Sequence, residues 1–172
     1  MDAIEIAAKL MELSAATAPK SKGVSFVRTQ VLTGETLQTL ADEMVRYGER
    51  TGKKDFDRDA KGVARSGAVV LVGLKAARAV GLDCGACGFP DCAGLERAAR
   101  QEKEFVGPVC AFRLLDMGIA LGSAVKTASM LNLDNRIMYR IGTVARQAGM
   151  VDWEFVMGIP LASTGKNIFF DR

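Results

Sequence analysis

Residues 82–111 read LDCGACGFPDCAGLERAARQEKEFVGPVCA, and this stretch holds every cysteine of the 172-residue chain. The cysteines follow the spacing C-x2-C-x4-C-x17-C, with three thiols within nine residues and a fourth farther along. Four thiolates are the usual shell of a [4Fe–4S] cluster, although ferredoxin spacings differ from this one. The segment therefore predicts one [4Fe–4S] cluster, held by Cys84, Cys87, Cys92 and Cys110.

The residues between the cysteines suit a loop that wraps around an anionic group. Gly85, Gly88 and Gly94 allow positive φ values and let backbone N–H groups approach sulfur. The pair at 107–108, Gly-Pro, then breaks the chain, and we expect Cys110 in the first turn of the next helix. Helix N-termini favour anions, and a thiolate-bound cluster is anionic.

The spacing leaves three alternative roles open for the cysteines. Structural zinc also takes four cysteines, but usually from two separated CxxC pairs, and only Cys84 and Cys87 form such a pair here. Disulfides are typical of small secreted domains, whereas we expect this chain to be cytosolic. The third alternative is four unrelated buried thiols, which are not expected at this density.

Composition and charge narrow the classes of function. The net charge of +3 is small and its cations are dispersed, so we expect no nucleic-acid partner. The N-terminus lacks a basic region followed by an apolar one, and no apolar stretch reaches membrane-spanning length without a charge; we therefore expect a cytoplasmic protein with no membrane partner. Histidine is absent, which argues against the usual nucleophilic hydrolases and favours cofactor-based redox chemistry.

The flanks of the cysteine segment set the expected fold. A β-branched run at 68–74, AVVLVGL, precedes it and predicts an interior strand buried on both faces. The longest helix, apolar nearly all round, is expected over 110–131. Hydrophobic periodicity and turn residues predict the other elements. The expected helices cover 3–17, from 33–35 to Gly48 and Gly52, 57–66, a stretch within 95–105, and 137–148. The expected strands cover 24–32, 154–158, which turns at Ile159-Pro160, and 168–170.

Helices separated by single strands predict an α+β fold. We expect one domain over 1–172, with the iron–sulfur segment 82–111 inside it. That segment would lie between the strand at 68–74 and the long central helix, near one end of the central sheet. Small residues on the long helix allow close packing, so it is expected to line a homodimer interface.

Two resemblances add to these expectations. The residues CGACGFPDC followed by Cys110 resemble the single-cluster module of Rnf-type electron-transport subunits and of the corrinoid iron–sulfur protein, which binds one [4Fe–4S] cluster. The chain as a whole, from AAKLMELSAATAPKSKG to GIPLASTGKNIFFDR, resembles a family of uncharacterised prokaryotic proteins described as containing a ferredoxin domain. That resemblance implies cluster binding and electron transfer, without an assigned activity.

The layout is also similar to the nitroreductase-like flavin enzymes, which are homodimeric α/β sandwiches with FMN at the dimer interface. The similarity is carried by an Ala-Pro turn at 18–19, a polar loop at 132–136 after the long helix, and Gly-x-Pro at 158–160. Two features depart from that pattern: residues 1–5 contain no arginine, and Lys-Ser-Lys at 20–22 replaces the Ser and Asn after the turn. The FMN contacts that the resemblance implies are Lys22, Asn135, Lys166, Asn167 and Arg172.

Two functions of different class follow. The first is an iron–sulfur flavoprotein oxidoreductase that passes electrons between the cluster and FMN or a small-molecule substrate. The alternative is a non-enzymatic, ferredoxin-like electron carrier that docks on a larger metalloenzyme as its redox partner protein, with Arg97 and Arg100 on the docking face. A third interpretation is a zinc-stabilised interaction module.

Overall fold

The computed structural model describes residues 2–170, which form an antiparallel main sheet with helices on both faces. A single 3-10 turn at Ser21–Gly23 follows the first helix. The helices are α1 (Ala3–Thr17), α2 (Glu35–Thr51), α3 (Phe56–Ala64), α4 (Cys92–Arg97), α5 (Ala111–Met130) and α6 (Tyr139–Gln147). The strands are β1 (Val27–Leu32), β2 (Ala68–Leu74), β3 (Gln101–Glu102), β4 (Val106–Gly107), β5 (Asp134–Asn135) and β6 (Phe155–Ala162).

The main sheet has the order β1-β2-β6-β5, and every neighbouring pair is antiparallel. β2 is buried along its whole length, as its continuous apolar sequence predicts. Its side chains alternate between the two faces, because successive strand residues point in opposite directions. Val69 and Leu71 enter one apolar core, and Val70 and Val72 enter the other.

The two cores give the fold its layers. Helices α2, α3 and α6 cover one face of the sheet around Met44, Phe56 and Ile141. Helices α1 and α5 cover the other face around Met11 and Ala124. This arrangement confirms the α+β class and the predicted central helix. No helix within residues 2–170 combines the length and the apolar character needed to cross a bilayer.

Two glycines set the spacing between α6 and β6. A Cβ added at Gly142 would lie 1.9 Å from the Val156 carbonyl oxygen, and one added at Gly158 would lie 2.0 Å from the Ile141 Cγ2. Both distances are far below any van der Waals contact, so only glycine permits this approach of the helix to the strand. The strand that carries the Gly-x-Pro sequence is therefore fixed by backbone proximity to α6.

The predicted turn at Ile159-Pro160 is wrong, because β6 continues through it to Ala162. Gly158 exchanges both backbone hydrogen bonds with Met138 on the side of the strand that faces β5. Because the bonding direction alternates along an antiparallel strand, Pro160 faces the same side. It falls in the interval between β5 and Met138, where the ladder is interrupted, so the missing N–H breaks no pair of the described ladder.

Several other sequence predictions need correction. The helix expected within 95–105 is replaced by α4, which ends at Arg97, and by the β3–β4 hairpin. Residues 168–170 form a turn rather than a strand. The first strand begins at Val27 instead of residue 24, and α2 begins at Glu35 with Gly34 as its N-cap. The predicted bounds of α1 and β2 are confirmed.

Candidate metal centre

The segment that carries the cysteines runs from the end of β2 to the start of α5. Cys84 is exposed on the loop, Cys87 is partly buried, and Cys92 is the first residue of α4. Cys110 is buried and is the N-cap of α5, one residue before the helical position that the sequence predicted. All four are free thiols, so no disulfide occupies the set.

Cys92 is held by a reciprocal pair of hydrogen bonds with Asp83. The Cys92 N–H donates to the Asp83 Oδ1 at 2.8 Å, and the Asp83 N–H donates to the Cys92 Sγ at 3.4 Å. The Asp91 side chain caps α4 through the Gly94 N–H at 2.6 Å. Hydrogen bonds to the ligand sulfurs are among the features that tune the reduction potential of iron–sulfur clusters.

A small apolar cluster joins two of the cysteines. Cys110 packs with Val80 and Leu95, and Cys87 and Phe89 border this cluster. The cluster lies outside the two main cores and belongs to the segment between β2 and α5. It therefore brings Cys87 and Cys110, which are 23 positions apart in the sequence, into one apolar environment.

The donor set suits a thiolate-ligated iron–sulfur cluster. Four free cysteines lie on one segment, two of them share an apolar cluster, and one receives a backbone N–H on its sulfur. Within residues 2–170, no three side chains of His, Cys, Asp or Glu are gathered closely enough to hold a single metal ion. The fit therefore rests on the chemistry and placement of the thiols rather than on a closed shell of ligands.

Polar contacts hold the start of the segment against α4 and against the residues that precede β6. The Ala76 N–H donates to both carboxylate oxygens of Glu154, at 2.9 and 2.8 Å. The Ala79 N–H donates to the Glu96 Oε1 at 2.6 Å. The Lys75 ammonium pairs with Asp152, which lowers the pKa of that carboxyl, chiefly through the hydrogen bond from Lys75. The loop thus leaves the sheet in a defined direction.

A buried ion pair connects α5 to the loop after α1. The Asp116 Oδ1 accepts hydrogen bonds from the N–H and hydroxyl of Ser21, at 2.7 and 2.8 Å. The Arg113 guanidinium pairs with Asp116 and also donates to the carbonyl oxygens of Val24 and Arg78. One buried network therefore positions the basic loop, the start of the cysteine segment and the first turns of α5 together.

The lysines of the basic loop are engaged within the protein. The Lys20 ammonium donates to the carbonyl oxygens of Ala15 and Ala16, and so caps the C-terminus of α1. Burial lowers the pKa of Lys20, although the charge of Asp116 opposes this. The Lys22 ammonium reaches the Gly81 carbonyl oxygen at 3.3 Å. Lys22 thus lies against the cysteine segment, and Lys20 is committed to the helix end.

The other predicted flavin contacts lie elsewhere. Asn135 is in β5, which pairs with the end of β6, and Lys166 and Asn167 follow in the next loop. The Asn135 Nδ2 donates to the Leu133 carbonyl oxygen, and the Asn167 Oδ1 accepts from the Phe169 N–H. Arg172 lies outside the described residues. The structure therefore brings Asn135, Lys166 and Asn167 into one region.

Lys22 and Asn135 lie towards opposite ends of α5. The basic loop contacts α5 at Asp116, whereas β5 follows the last turn of that helix. At a rise of about 1.5 Å per residue, these two levels are roughly 20 Å apart along the helix axis. One chain alone therefore does not assemble the full set of predicted flavin contacts.

The basic face expected around Arg97 and Arg100 is only partly available. Arg100 pairs with Glu154 at 3.7 Å, and Arg97 ends α4 with an exposed side chain. Sequence reasoning missed the role of Asp83, although an acid directly before the first cysteine was a visible signal. It also missed the link between Arg113 and Asp116 on α5.

Solved structures with a similar fold include FMN-binding nitroreductases. A nitroreductase with bound FMN from Desulfitobacterium hafniense superposes with a TM-score of 0.58 at 12% identity, covering 96% of this chain and 80% of that one. An FMN-dependent nitroreductase from Mycobacterium smegmatis, solved with NADPH, gives a TM-score of 0.57 at 12% identity, covering 94% and 78%. The chain therefore has the nitroreductase fold.

Sequence comparison places the chain in a family. The model of uncharacterized proteins containing a ferredoxin domain matches residues 106–172. An uncharacterized protein from Archaeoglobus fulgidus is 49% identical over 171 residues, which cover 99% of this chain and 92% of that protein. The chain belongs to this family of ferredoxin-domain proteins. Together with the nitroreductase fold, membership indicates a redox role.

Proposed function

We propose that this protein is a [4Fe–4S] redox protein in which Cys84, Cys87, Cys92 and Cys110 hold the cluster. The observation that carries the proposal is the placement of four free thiols on the one segment that joins β2 to α5. When bound, the cluster would supply transfer of one electron at a time. Structural zinc or four unrelated thiols would account less directly for a cysteine at a helix N-cap.

The chain's own residues would orient and protect the thiolates. Asp83 fixes the backbone at Cys92 and donates an N–H to its sulfur. The apolar neighbours of Cys110, among them Val80 and Leu95, exclude water from one side of the segment. Lys22, through its contact with Gly81, adds a positive charge near an anionic group. These contacts would orient the cysteine ligands and place a positive charge near an anionic cluster.

We extend the proposal to FMN bound between two copies of the chain. Lys22 at one end of α5 and Asn135, Lys166 and Asn167 at the other would then come from different protomers. A two-fold axis that crosses the middle of α5 places the N-terminal end of one helix beside the C-terminal end of its partner. An iron–sulfur flavoprotein of this kind would pass electrons between cluster, flavin and a small substrate.

An apolar face on α1 and α5 supports the dimer. Leu115 and Ile119 are 58% and 47% exposed, on the same stripe of α5 as Gly118 and Gly122. A second exposed apolar stripe, on α1, lies alongside the α5 stripe. The two helices are joined through Ser14, whose hydroxyl lies 2.6 Å from the Thr127 hydroxyl. The exposed residues of that neighbouring stripe are Ile6, Leu10 and Leu13.

The electron carrier remains the second candidate function, and one observation favours it. The predicted flavin contacts do not converge in a single chain, and Lys20, the first cation of the basic loop, is committed to the end of α1. A chain that holds the cluster alone would need no flavin site. It would meet a redox partner protein at the exposed surface near Cys84.

Anaerobic purification followed by quantitation of iron, acid-labile sulfide and flavin per chain tests the proposal. About four irons and four sulfides with one FMN per chain support the flavoprotein. The same metal content without flavin supports the carrier. One zinc per chain, with neither iron nor sulfide, overturns the redox proposal in favour of a zinc-stabilised module.

A further inference from the structure

A cavity of about 630 Å³ opens beside the cysteine segment. Small-molecule sites in proteins typically measure roughly 300–1,000 Å³ and are mostly apolar with a few polar groups. All the lining residues lie between β2 and α5, on the cysteine loop, the end of α4 and the β3–β4 hairpin. The lining consists of Phe89, Ala98, Ala99, Gln101, Lys103, Phe105, Gly107 and Pro108.

Two aromatic rings form fixed walls of this cavity. Phe105 stacks on Phe155 with ring centroids 4.3 Å apart and planes inclined by 26°. Phe89 borders the small apolar cluster that contains Cys110 and Cys87. Because both rings are packed from behind, their cavity-facing surfaces are preformed and suit a flat ring system.

The hairpin that carries the cavity is fastened to the body of the protein. The Val106 N–H donates to the Glu154 carbonyl oxygen at 2.9 Å. The Gln147 side chain donates to the Lys103 carbonyl oxygen at 2.8 Å, and Arg146 donates to the same oxygen at 3.4 Å. The backbone at Lys103 is therefore held while its side chain lines the cavity.

The charges of the hairpin are separated between two sides. The Glu102 carboxylate pairs with Arg146, and the Glu104 carboxylate pairs with Lys53 and accepts the Tyr47 hydroxyl. Lys103, between them, has no ion-pair partner among the acidic side chains of residues 2–170. The cavity thus has apolar, aromatic walls and one cation that no carboxylate of the described chain neutralises.

We infer that this cavity is a binding site for a flat aromatic molecule that carries a negative charge, the class that includes sulfonated quinones. The rings of Phe89 and Phe105 would contact its aromatic system, and Lys103 would face its anionic group. Phe89 is shared by the cavity wall and the apolar cluster of Cys87 and Cys110, so the ligand would lie one side chain away from two predicted cluster ligands. The inference rests on the cavity and holds whether or not a flavin is bound elsewhere.

The test is calorimetric titration of the purified full-length chain with anthraquinone-2-sulfonate at low salt. Ala99 is exposed in the cavity wall, so Ala99→Trp fills the space with little strain and should weaken binding by about tenfold or more. Lys103→Gln should weaken it about two- to fivefold, and less at high salt. Lys61→Gln, which removes an exposed lysine from α3, is the matched control and should leave binding unchanged.

Lys103→Glu gives a second, independent readout, since it reverses the charge without filling the cavity. Loss of binding in this variant and in Ala99→Trp, with circular dichroism like that of the wild type, supports the site. Absence of binding to the wild type at millimolar ligand, or equal binding to wild type and Ala99→Trp, overturns it. Iron, sulfide and flavin are measured on the same samples. A chain that lacks all three but binds the ligand, and loses this binding in Ala99→Trp, would refute the proposed redox function and leave the cavity proposal intact.

Discussion

The Arg113 guanidinium donates to the Asp116 carboxylate across 2.9 Å, three residues apart on α5, and both side chains are almost completely buried. The other side-chain hydrogen bonds of this pair all reach outside α5, to Ser21, Val24 and Arg78. The pair therefore does more than stabilise α5. It holds the loop after α1 and the start of the cysteine segment in one arrangement.

Asp116→Ala should destabilise the protein by about 3–5 kcal/mol, because it leaves the buried Arg113 charge without its carboxylate. It also removes the acceptor of two Ser21 hydrogen bonds. Chemical denaturation followed by circular dichroism measures the change. Asp42→Ala, which removes an exposed carboxylate from α2, is the control and should change the free energy of unfolding by less than about 0.5 kcal/mol. Equal stability of the two variants would contradict the role assigned to the pair.

Gly142→Ala should cost about 3 kcal/mol or more, since its new Cβ would lie 1.9 Å from the Val156 carbonyl oxygen and neither backbone can yield cheaply. The measurement is the free energy of unfolding in urea. Gly62→Ala, on α3, is the matched control, because its Cβ meets nothing closer than 3.4 Å. That substitution should be neutral or slightly stabilising, as alanine favours a helix more than glycine does.

Stability should fall as the pH rises above 10, because of Tyr47. Burial raises the pKa of this phenol above its ordinary value of 10.0, and the hydrogen bond to Glu104 raises it further. Between the ordinary and the raised pKa, the folded protein keeps a proton that the unfolded chain has lost, so the free energy of unfolding decreases with pH in that window. Below pH 10 the stabilisation that Tyr47 contributes to the folded protein is fully present.

Tyr47→Phe is the direct test of that pH dependence. The variant retains the ring that packs against Phe56 but has no phenol to titrate. Denaturation midpoints measured from pH 8 to 11 should therefore fall less steeply in the variant than in the wild type. Parallel profiles would show that Tyr47 does not contribute. The pKa of Lys53 is also raised by its hydrogen bond to Glu104, so a smaller alkaline decrease should remain in the variant.

The sequence predicts the frame of the fold better than its connections. α1 and β2 have the expected bounds because local sequence decides them. α1 has an apolar stripe with the period of a helix, and β2 is a continuous apolar run. The continuation of β6 through Pro160 depends on a gap in a neighbouring strand, which no local pattern shows. The β3–β4 hairpin is likewise held by Glu154 and α6, whereas its own residues, rich in Glu, Lys and Gln, favour a helix.

The candidate site divides in the same way. The proposal that Cys84, Cys87, Cys92 and Cys110 are ligands follows from spacing alone, because ligand chemistry restricts the residue type. The cavity next to them is built from alanines, phenylalanines and one lysine, which are ordinary residues for a surface or a core. The positive charge of Lys103 in this cavity is recognised only once the structure shows that Glu102 and Glu104 pair with other cations. Such a site depends on tertiary contacts and has no sequence signature.

Ile119→Asp should convert the proposed dimer into a monomer. It places a charge in the middle of the apolar face of α1 and α5, and burying an unpaired charge in an interface is strongly unfavourable. Light scattering coupled to size-exclusion chromatography measures the mass. Thr39→Asp, at an exposed position of α2 on the opposite face of the sheet, is the control and should leave the mass unchanged. A wild-type mass near 18.4 kDa would rule out the dimer under those conditions.

Cys92→Ser should lower iron well below the roughly four atoms per chain expected of an intact cluster, because serine is a poor replacement for a thiolate ligand. The substitution keeps the shape of the side chain and the backbone bond from Cys92 to Asp83, so a folding defect is not expected. Ala93→Ser is the matched control, since it adds a hydroxyl at the next, exposed position of α4 and should leave iron and sulfide unchanged. Full iron and an unaltered visible spectrum in Cys92→Ser would remove this cysteine from the ligand set and reopen the zinc and unrelated-thiol interpretations.

Asp83→Asn should retain iron but shift the reduction potential or increase the rate of cluster loss in air, because it weakens the contact that orients Cys92.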